Sequence, residues 1–82
     1  AITLILISEY YDLKKYDKAM KNVNLLLKNS PNDSYAVYYK AKIEYDTGKK
    51  KDALNDFQKL TGDLKYGKEA KKWTESIKSE LE

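Results

Sequence analysis

Cysteine and histidine are both missing from this 82-residue chain. That removes disulfides, thiol nucleophiles, imidazole bases and nearly every structural zinc site at once, so no metal or cofactor is expected. Arginine is missing too: all 16 basic residues are lysines. The planar guanidinium fork is the usual reader of phosphates and guanine edges, and its absence disfavours a nucleic-acid partner. Proline occurs once and glycine three times, too few for a chain of short strands and tight turns. Gly48, Gly62 and Gly67 stand alone, with no phosphate-cradling loop around them. No long apolar run exists. Ile2 to Ile7 is interrupted by Thr3 and falls far short of the ~20 residues of a bilayer span. It also lacks the basic leader and small-residue cleavage site of a signal peptide.

The net charge of +3 comes from 16 basic and 13 acidic residues with the signs interspersed, a solvated surface rather than a basic stripe. The hydrophobic share of 41% suffices for the core of one small domain. No catalytic residues emerge. Asp12, Asp17, Asp46 and Asp52 fall at or near inter-helix turns, and acid–base work would need a dry pocket to split their pKa values. The chain is not expected to be an enzyme.

Apolar spacing is helical throughout and predicts five helices. The first runs from about Ile2 to Leu13. The second, about Tyr16 to Lys28, carries Ala19, Met20, Val23, Leu26 and Leu27 on one ~120° stripe. Asn29-Ser30-Pro31-Asn32-Asp33 ends it, because proline cannot continue a helix and its polar neighbours favour turns. The third starts on an Asp33 or Ser34 cap and runs to about Thr47, where Gly48 supplies a left-handed stop. The fourth, Lys50 to Leu60, holds Ala53, Leu54, Phe57 and Leu60. The last starts from an Asp63 cap and aligns Tyr66, Ala70, Trp73, Ile77 and Leu81. Lys65, Lys68, Lys71, Lys72 and Lys78 take its opposite, solvated side.

The organising feature is a repeat. Sliding the chain by 34 residues sets the segment Tyr11 to Met20 on the segment Tyr45 to Leu54, with Tyr, Asp, Lys and Ala coinciding. Val23 then meets Phe57, and Leu26 meets Leu60. The coinciding alanine matters most, because a small residue early in the second helix lets its backbone approach the first. A helix-turn-helix period of this length points to an all-α solenoid, a superhelix of antiparallel helix pairs, rather than a closed bundle.

On these residues the chain resembles the tetratricopeptide repeat family. Tyr10-Tyr11, Tyr16, Ala19, Val23, Leu26 and Pro31 match its aromatic, small, hydrophobic and proline positions in a first unit, about 1–33. Val37, Ala41, Gly48, Ala53, Phe57 and Leu60 do so in a second, about 34–62, and 63–82 is similar to the family's C-terminal capping helix. The departures are Ile7 in place of Gly or Ala, Lys14 in place of Gly, and Lys40 and Glu44 at sites that are normally large and buried. At i,i+4 spacing the last two are expected to pair.

The third helix places Tyr35, Tyr38, Tyr39, Lys42, Tyr45 and Asp46 on one ~120° arc. Ala36 and Ile43 flank it on one side, Val37 and Ala41 on the other. In the resembled family this face lines a concave peptide-binding groove, so Tyr11, Tyr35, Tyr38, Tyr39, Lys42 and Tyr45 are the expected contacts for a protein or peptide partner. Tyrosine suits such a surface, with an apolar ring, a polar tip and few rotors. The competing expectation is that these rings are inter-helix packing. The family's Lys/Asn/Arg clamp for a C-terminal carboxylate is not matched: Leu4, Ser8 and Tyr39 stand at its positions. A second role, structural assembly, follows from the first helix. Its apolar side chains point in nearly every direction, so Ile2, Leu4 and Ile5 are expected to meet further repeats or a second copy.

Overall fold

A computed structural model describes residues 2–82, with side chains from Leu4 onward. Five helices make up the fold: α1 (Ile2–Asp12), α2 (Tyr16–Asn29), α3 (Ser34–Asp46), α4 (Lys50–Lys59) and α5 (Gly67–Leu81). The described residues contain no strand, and the fold is all-α. No described helix is long and apolar enough to cross a membrane.

Two helix ends are built alike, 34 residues apart. After α1 the Lys14 N–H donates to the Tyr11 carbonyl (2.9 Å) and the Lys15 N–H to the Tyr10 carbonyl (2.8 Å). After α3 the Gly48 N–H donates to Tyr45 (3.2 Å) and the Lys49 N–H to Glu44 (2.8 Å). Each pair is a Schellman stop, whose pivot residue must be left-handed. The pivots are Gly48, with φ 91°, and Lys14, with φ 60°. The glycine expected to stop the third helix does so, and the lysine at the matching position adopts the strained conformation despite its side chain. The Asp33 carboxylate caps α3 by accepting from the Ala36 N–H at 3.0 Å.

The expected start of the last helix needs correction. Asp63 caps an isolated turn instead, accepting from the Lys65 N–H (2.9 Å) and the Tyr66 N–H (2.8 Å). It also takes a hydrogen bond from the Ser34 hydroxyl, which ties this turn to the start of α3. Leu64 projects into solvent, and α5 begins only at Gly67. A Cβ on Gly67 would lie 2.8 Å from the Thr61 carbonyl oxygen, so glycine here permits close approach of the turn. Leu81, expected on the packed stripe, is 42% exposed at the last turn of α5.

Each helix packs on the next along the chain, and α1 also touches α3. Cross-contacts give the directions. Tyr35 reaches Leu4 while Tyr11 reaches Asp46, so α1 and α3 run parallel. Tyr45 reaches both Trp73 and Glu80 while Tyr38 meets Tyr66 just before α5, so α3 and α5 run parallel as well. Tyr38 meets Phe57 while Glu44 packs within one cleft with Asp52, which sets α4 antiparallel to α3.

The core repeats the same translation. One buried cluster is centred on Ile7, Ala19, Val23, Ala36 and Ile43, with Leu26 packed against it. The other consists of Ala41, Ala53, Phe57, Ala70, Ile77 and Leu60. Every member of the first has its counterpart in the second 34 positions later. Volume is exchanged within the pattern: Ile7 and Val23 in one cluster correspond to Ala41 and Phe57 in the other. An isoleucine therefore stands where a small residue was expected because the residue opposite shrank, a swap that conserves filling at native density.

The two stops generate a testable pair. Lys14→Gly should raise stability by up to about 1 kcal/mol, because relief of the left-handed strain exceeds the added freedom of the unfolded chain. Gly48→Ala, whose new Cβ would meet nothing within 4 Å, should cost about 1 kcal/mol through backbone strain alone. Urea midpoints at unchanged slope measure both. A neutral Gly48→Ala would contradict the assigned geometry.

Candidate functional site

Tyrosine rings form a layer across α1 and α3. Tyr39 sits at its middle, with ring centroids 5.6 Å from Tyr11, 4.9 Å from Tyr35 and 5.9 Å from Tyr38. All four rings are half-buried. Such edge-to-face and tilted contacts add about 0.5–1.5 kcal/mol per pair beyond area burial. The layer is therefore both packing and surface, and the two expectations for these residues meet in the same side chains.

Lys42 stands over this layer. Its Nζ lies 4.5 Å from the ring centroid of Tyr11, 4.9 Å from Tyr39 and 5.3 Å from Tyr38. Three quadrupoles facing one ammonium hold it in place, each contact worth on the order of 0.5–1 kcal/mol. Among the described residues Lys42 forms no salt bridge. A half-buried cation held by rings and left without a carboxylate is the chemical signature of this site.

The hydroxyls are anchored. Tyr11 donates to Asp46 Oδ2 at 2.7 Å, and Tyr16 donates to the same oxygen at 3.1 Å. Tyr35 donates to the Leu4 carbonyl at 2.7 Å, joining α3 to α1. Burial, reinforced by the Asp46 carboxylate, pushes the Tyr11 hydroxyl well above the usual tyrosine range. Burial pushes Tyr39 up to about 12, with Tyr35 and Asp12 adding to the effect. Tyr11 and Tyr39 therefore stay protonated, and with the Tyr11 and Tyr35 protons committed inside the molecule the face offers aromatic rings and the Lys42 cation.

Of the six residues expected at the site, Tyr11, Tyr35, Tyr38, Tyr39 and Lys42 come together. Tyr45 is on the same helix but belongs to a neighbouring patch. Its ring packs edge-on to Trp73 at 5.1 Å, and its hydroxyl donates to Glu80 at 2.8 Å, beside the Lys50–Glu80 salt bridge of 3.3 Å. Sequence reasoning missed Tyr66 and Trp73, which it placed on the packed stripe of the last helix. Tyr66 stacks on Tyr38 at 4.8 Å and extends the layer towards α5, while Trp73 stacks on Phe57 at 5.0 Å. A signal for Trp73 existed, since it lies 34 positions after Tyr39.

A second polar constellation joins α3 to α4. Lys40 and Glu44 do pair, at 3.5 Å, but the shorter contact of Lys40 is with Asp56 at 2.9 Å. Lys59 reaches the other Asp56 oxygen at 3.3 Å. Asp56 and Glu44 are both buried. Burial, together with a hydrogen bond to Asp56 and its charge, raises Glu44 to about 7 against the opposing pull of Lys40. Burial alone would raise Asp56 as well, but the hydrogen bonds from Glu44 and Lys40 outweigh it and hold that carboxyl below its ordinary value.

No family model, curated protein or solved structure matches this chain.

The buried pair yields a pH dependence with a definite sign. A carboxyl raised in the folded state favours the protonated protein, so the Glu44 contribution is full below about 4.5 and is lost as pH rises through about 7. The Asp56 contribution has the opposite sense, being present above its ordinary value of 3.8 and lost as pH falls through its lowered one. Between pH 5 and 8 only the Glu44 contribution changes, and no histidine masks it. The melting temperature should fall by several degrees over that interval, on the order of 2 kcal/mol. Glu44→Gln, which keeps a donor for Asp56, should flatten the profile. A wild-type curve flat from pH 5 to 8 would contradict the assignment.

Proposed function

We propose that this chain is a non-catalytic protein-binding module of tetratricopeptide-repeat type that presents its tyrosine layer to a peptide or protein segment. The observation that supports this reading is Lys42, a half-buried cation framed by Tyr11, Tyr38 and Tyr39 without a carboxylate of its own. A carboxylate side chain of a ligand completes the ion pair, and the half-exposed rings around it take up neighbouring apolar groups. Rigid aromatic rings lose little freedom on binding, so the surface is organised before the ligand arrives.

Structural assembly through α1 is the second reading. It is favoured by Ile5, 57% exposed on a helix otherwise packed by Ile7. Leu4 is less available than expected, because it is half-buried and its carbonyl accepts the Tyr35 hydroxyl. The third residue of that expected contact, Ile2, has its side chain outside the described residues.

Peptides selected from a random display library provide the test, followed by binding isotherms and melting curves on the same variants. Lys42→Glu should abolish binding of acidic peptides and spare neutral ones. Tyr38→Ala should weaken selected peptides by about 2 kcal/mol, the scale of an aromatic hot spot. Because Tyr38 also packs on Phe57 and Tyr66, it should cost some stability, but less than Phe57→Ala, which opens a cavity worth about 3–5 kcal/mol. Unchanged binding in both site variants would refute the groove.

A further inference from the structure

Two clefts on the chain are lined by equivalent positions. One lies between α1 and α2, bounded by Leu6, Tyr10, Lys18, Lys21, Asn22 and Leu25. The other lies between α3 and α4, bounded by Lys40, Glu44, Asp52, Asn55, Asp56 and Lys59. Adding 34 to each residue number of the first gives the second, position for position. Their chemistry is opposite. The α3/α4 cleft is bridged by the Lys40–Asp56 ion pair, flanked by Lys40–Glu44 within α3 and Lys59–Asp56 within α4. In the α1/α2 cleft the corresponding positions are Leu6, Tyr10, Asn22 and Leu25, so among the described residues no ion pair spans it, and the contact across it is that of Lys18 with the Tyr10 ring. Leu25 is left 53% exposed, and the Asn22 side chain is turned back to the Lys18 carbonyl at 3.0 Å.

We propose that this α1/α2 cleft is a second docking surface, and that its occupant is an acidic amphipathic segment of a partner protein. The floor is apolar, made of Leu6, Tyr10 and Leu25, and suits a leucine-sized side chain. The only charged residues lining it are Lys18 and Lys21, both exposed. Lys18 leans over the Tyr10 ring at 5.8 Å, which leaves the Leu25 side of the floor open. An occupant must therefore supply both things that the equivalent cleft supplies to itself: atoms to fill the gap and carboxylates to meet the lysines. Leu6 and Tyr10 lie roughly on the far side of α1 from Leu4, Ser8 and Tyr11, by the ~100° step of a helix. The surface is thus independent of the tyrosine layer, and the two can be tested apart.

The probe is a labelled synthetic helix with leucines at i and i+4 and glutamates flanking them, titrated with the full chain by fluorescence anisotropy. Leu25→Asp should weaken it at least tenfold, and the double variant Lys18→Gln/Lys21→Gln should do the same and remove its salt dependence. All three positions are exposed, so melting curves should stay near wild type, whereas Lys42→Glu should change binding less than twofold. A peptide with lysine for glutamate, or alanine for leucine, should not bind. The inference is overturned if Leu25→Asp binds as wild type, if binding follows Lys42→Glu, or if the wild-type chain ignores the peptide. It is equally overturned if the lysines and Leu25 prove to serve a different occupant: anionic lipid vesicles captured in place of the peptide, or a second copy seen as concentration-dependent mass in sedimentation.

Discussion

Close approach of helix backbones at buried alanines is the constraint on which the rest of this structure depends. Ala19, Ala36, Ala41, Ala53 and Ala70 all have no exposed surface. Small methyl groups let neighbouring helices approach closely, and of the aromatic rings among the described residues Phe57 alone is fully buried between them. Large side chains are consequently displaced to the margins of the seams, where Tyr38, Tyr39, Tyr45 and Trp73 pack against the clusters while keeping one part in solvent. The tyrosine layer is thus a consequence of how the stack closes. This explains why the rings are half-buried as a set.

Much of this architecture is legible in the sequence because it depends on local period and small residues. The stripes of α2 and α4, the alanines 34 apart and the left-handed stop at Gly48 each follow from side chains within one or two turns. The arc from Tyr35 to Lys42 was readable for the same reason, since residues on one helix share a face whatever lies opposite. What failed to appear depends on neighbours distant in sequence. The i,i+4 pair of Lys40 and Glu44 could be seen, but Asp56 on α4 could not, although it makes the shorter contact with Lys40. Asp63 reads as a helix cap and does cap a turn. The helix proper begins at Gly67, where a side chain would meet the Thr61 carbonyl of the preceding turn, a contact distant from any cap signal.

The two units show how a repeat separates what must be kept from what can vary. Positions at the seams keep their size in sum, so Ile7 with Val23 can become Ala41 with Phe57 without loss of filling. The stops keep their hydrogen bonds even where lysine occupies the left-handed position. The clefts between paired helices are under no such constraint, because neither depends on the seam for closure. One has been closed by charges and the other left open and apolar.

The closed cleft also shows why that difference is more than a choice of surface. Burying Asp56 and Glu44 side by side costs desolvation, and two lysines with a shared proton offset it only over part of the pH range. Truncation of Lys40 alone would leave two buried carboxyls facing each other, which is the expensive outcome, whereas the uncharged set Leu6, Asn22 and Leu25 at the equivalent positions carries no such penalty. The chain therefore contains a cheap and a costly solution to the same geometric problem. The costly one joins α3, which carries the tyrosine arc, to α4, which carries Phe57, through Lys40 and Asp56. The open cleft, on the side of α1 away from the tyrosine layer, holds its helix pair through the buried contacts of Ile7 with Ala19 and Val23, and Leu25 is left exposed at its edge.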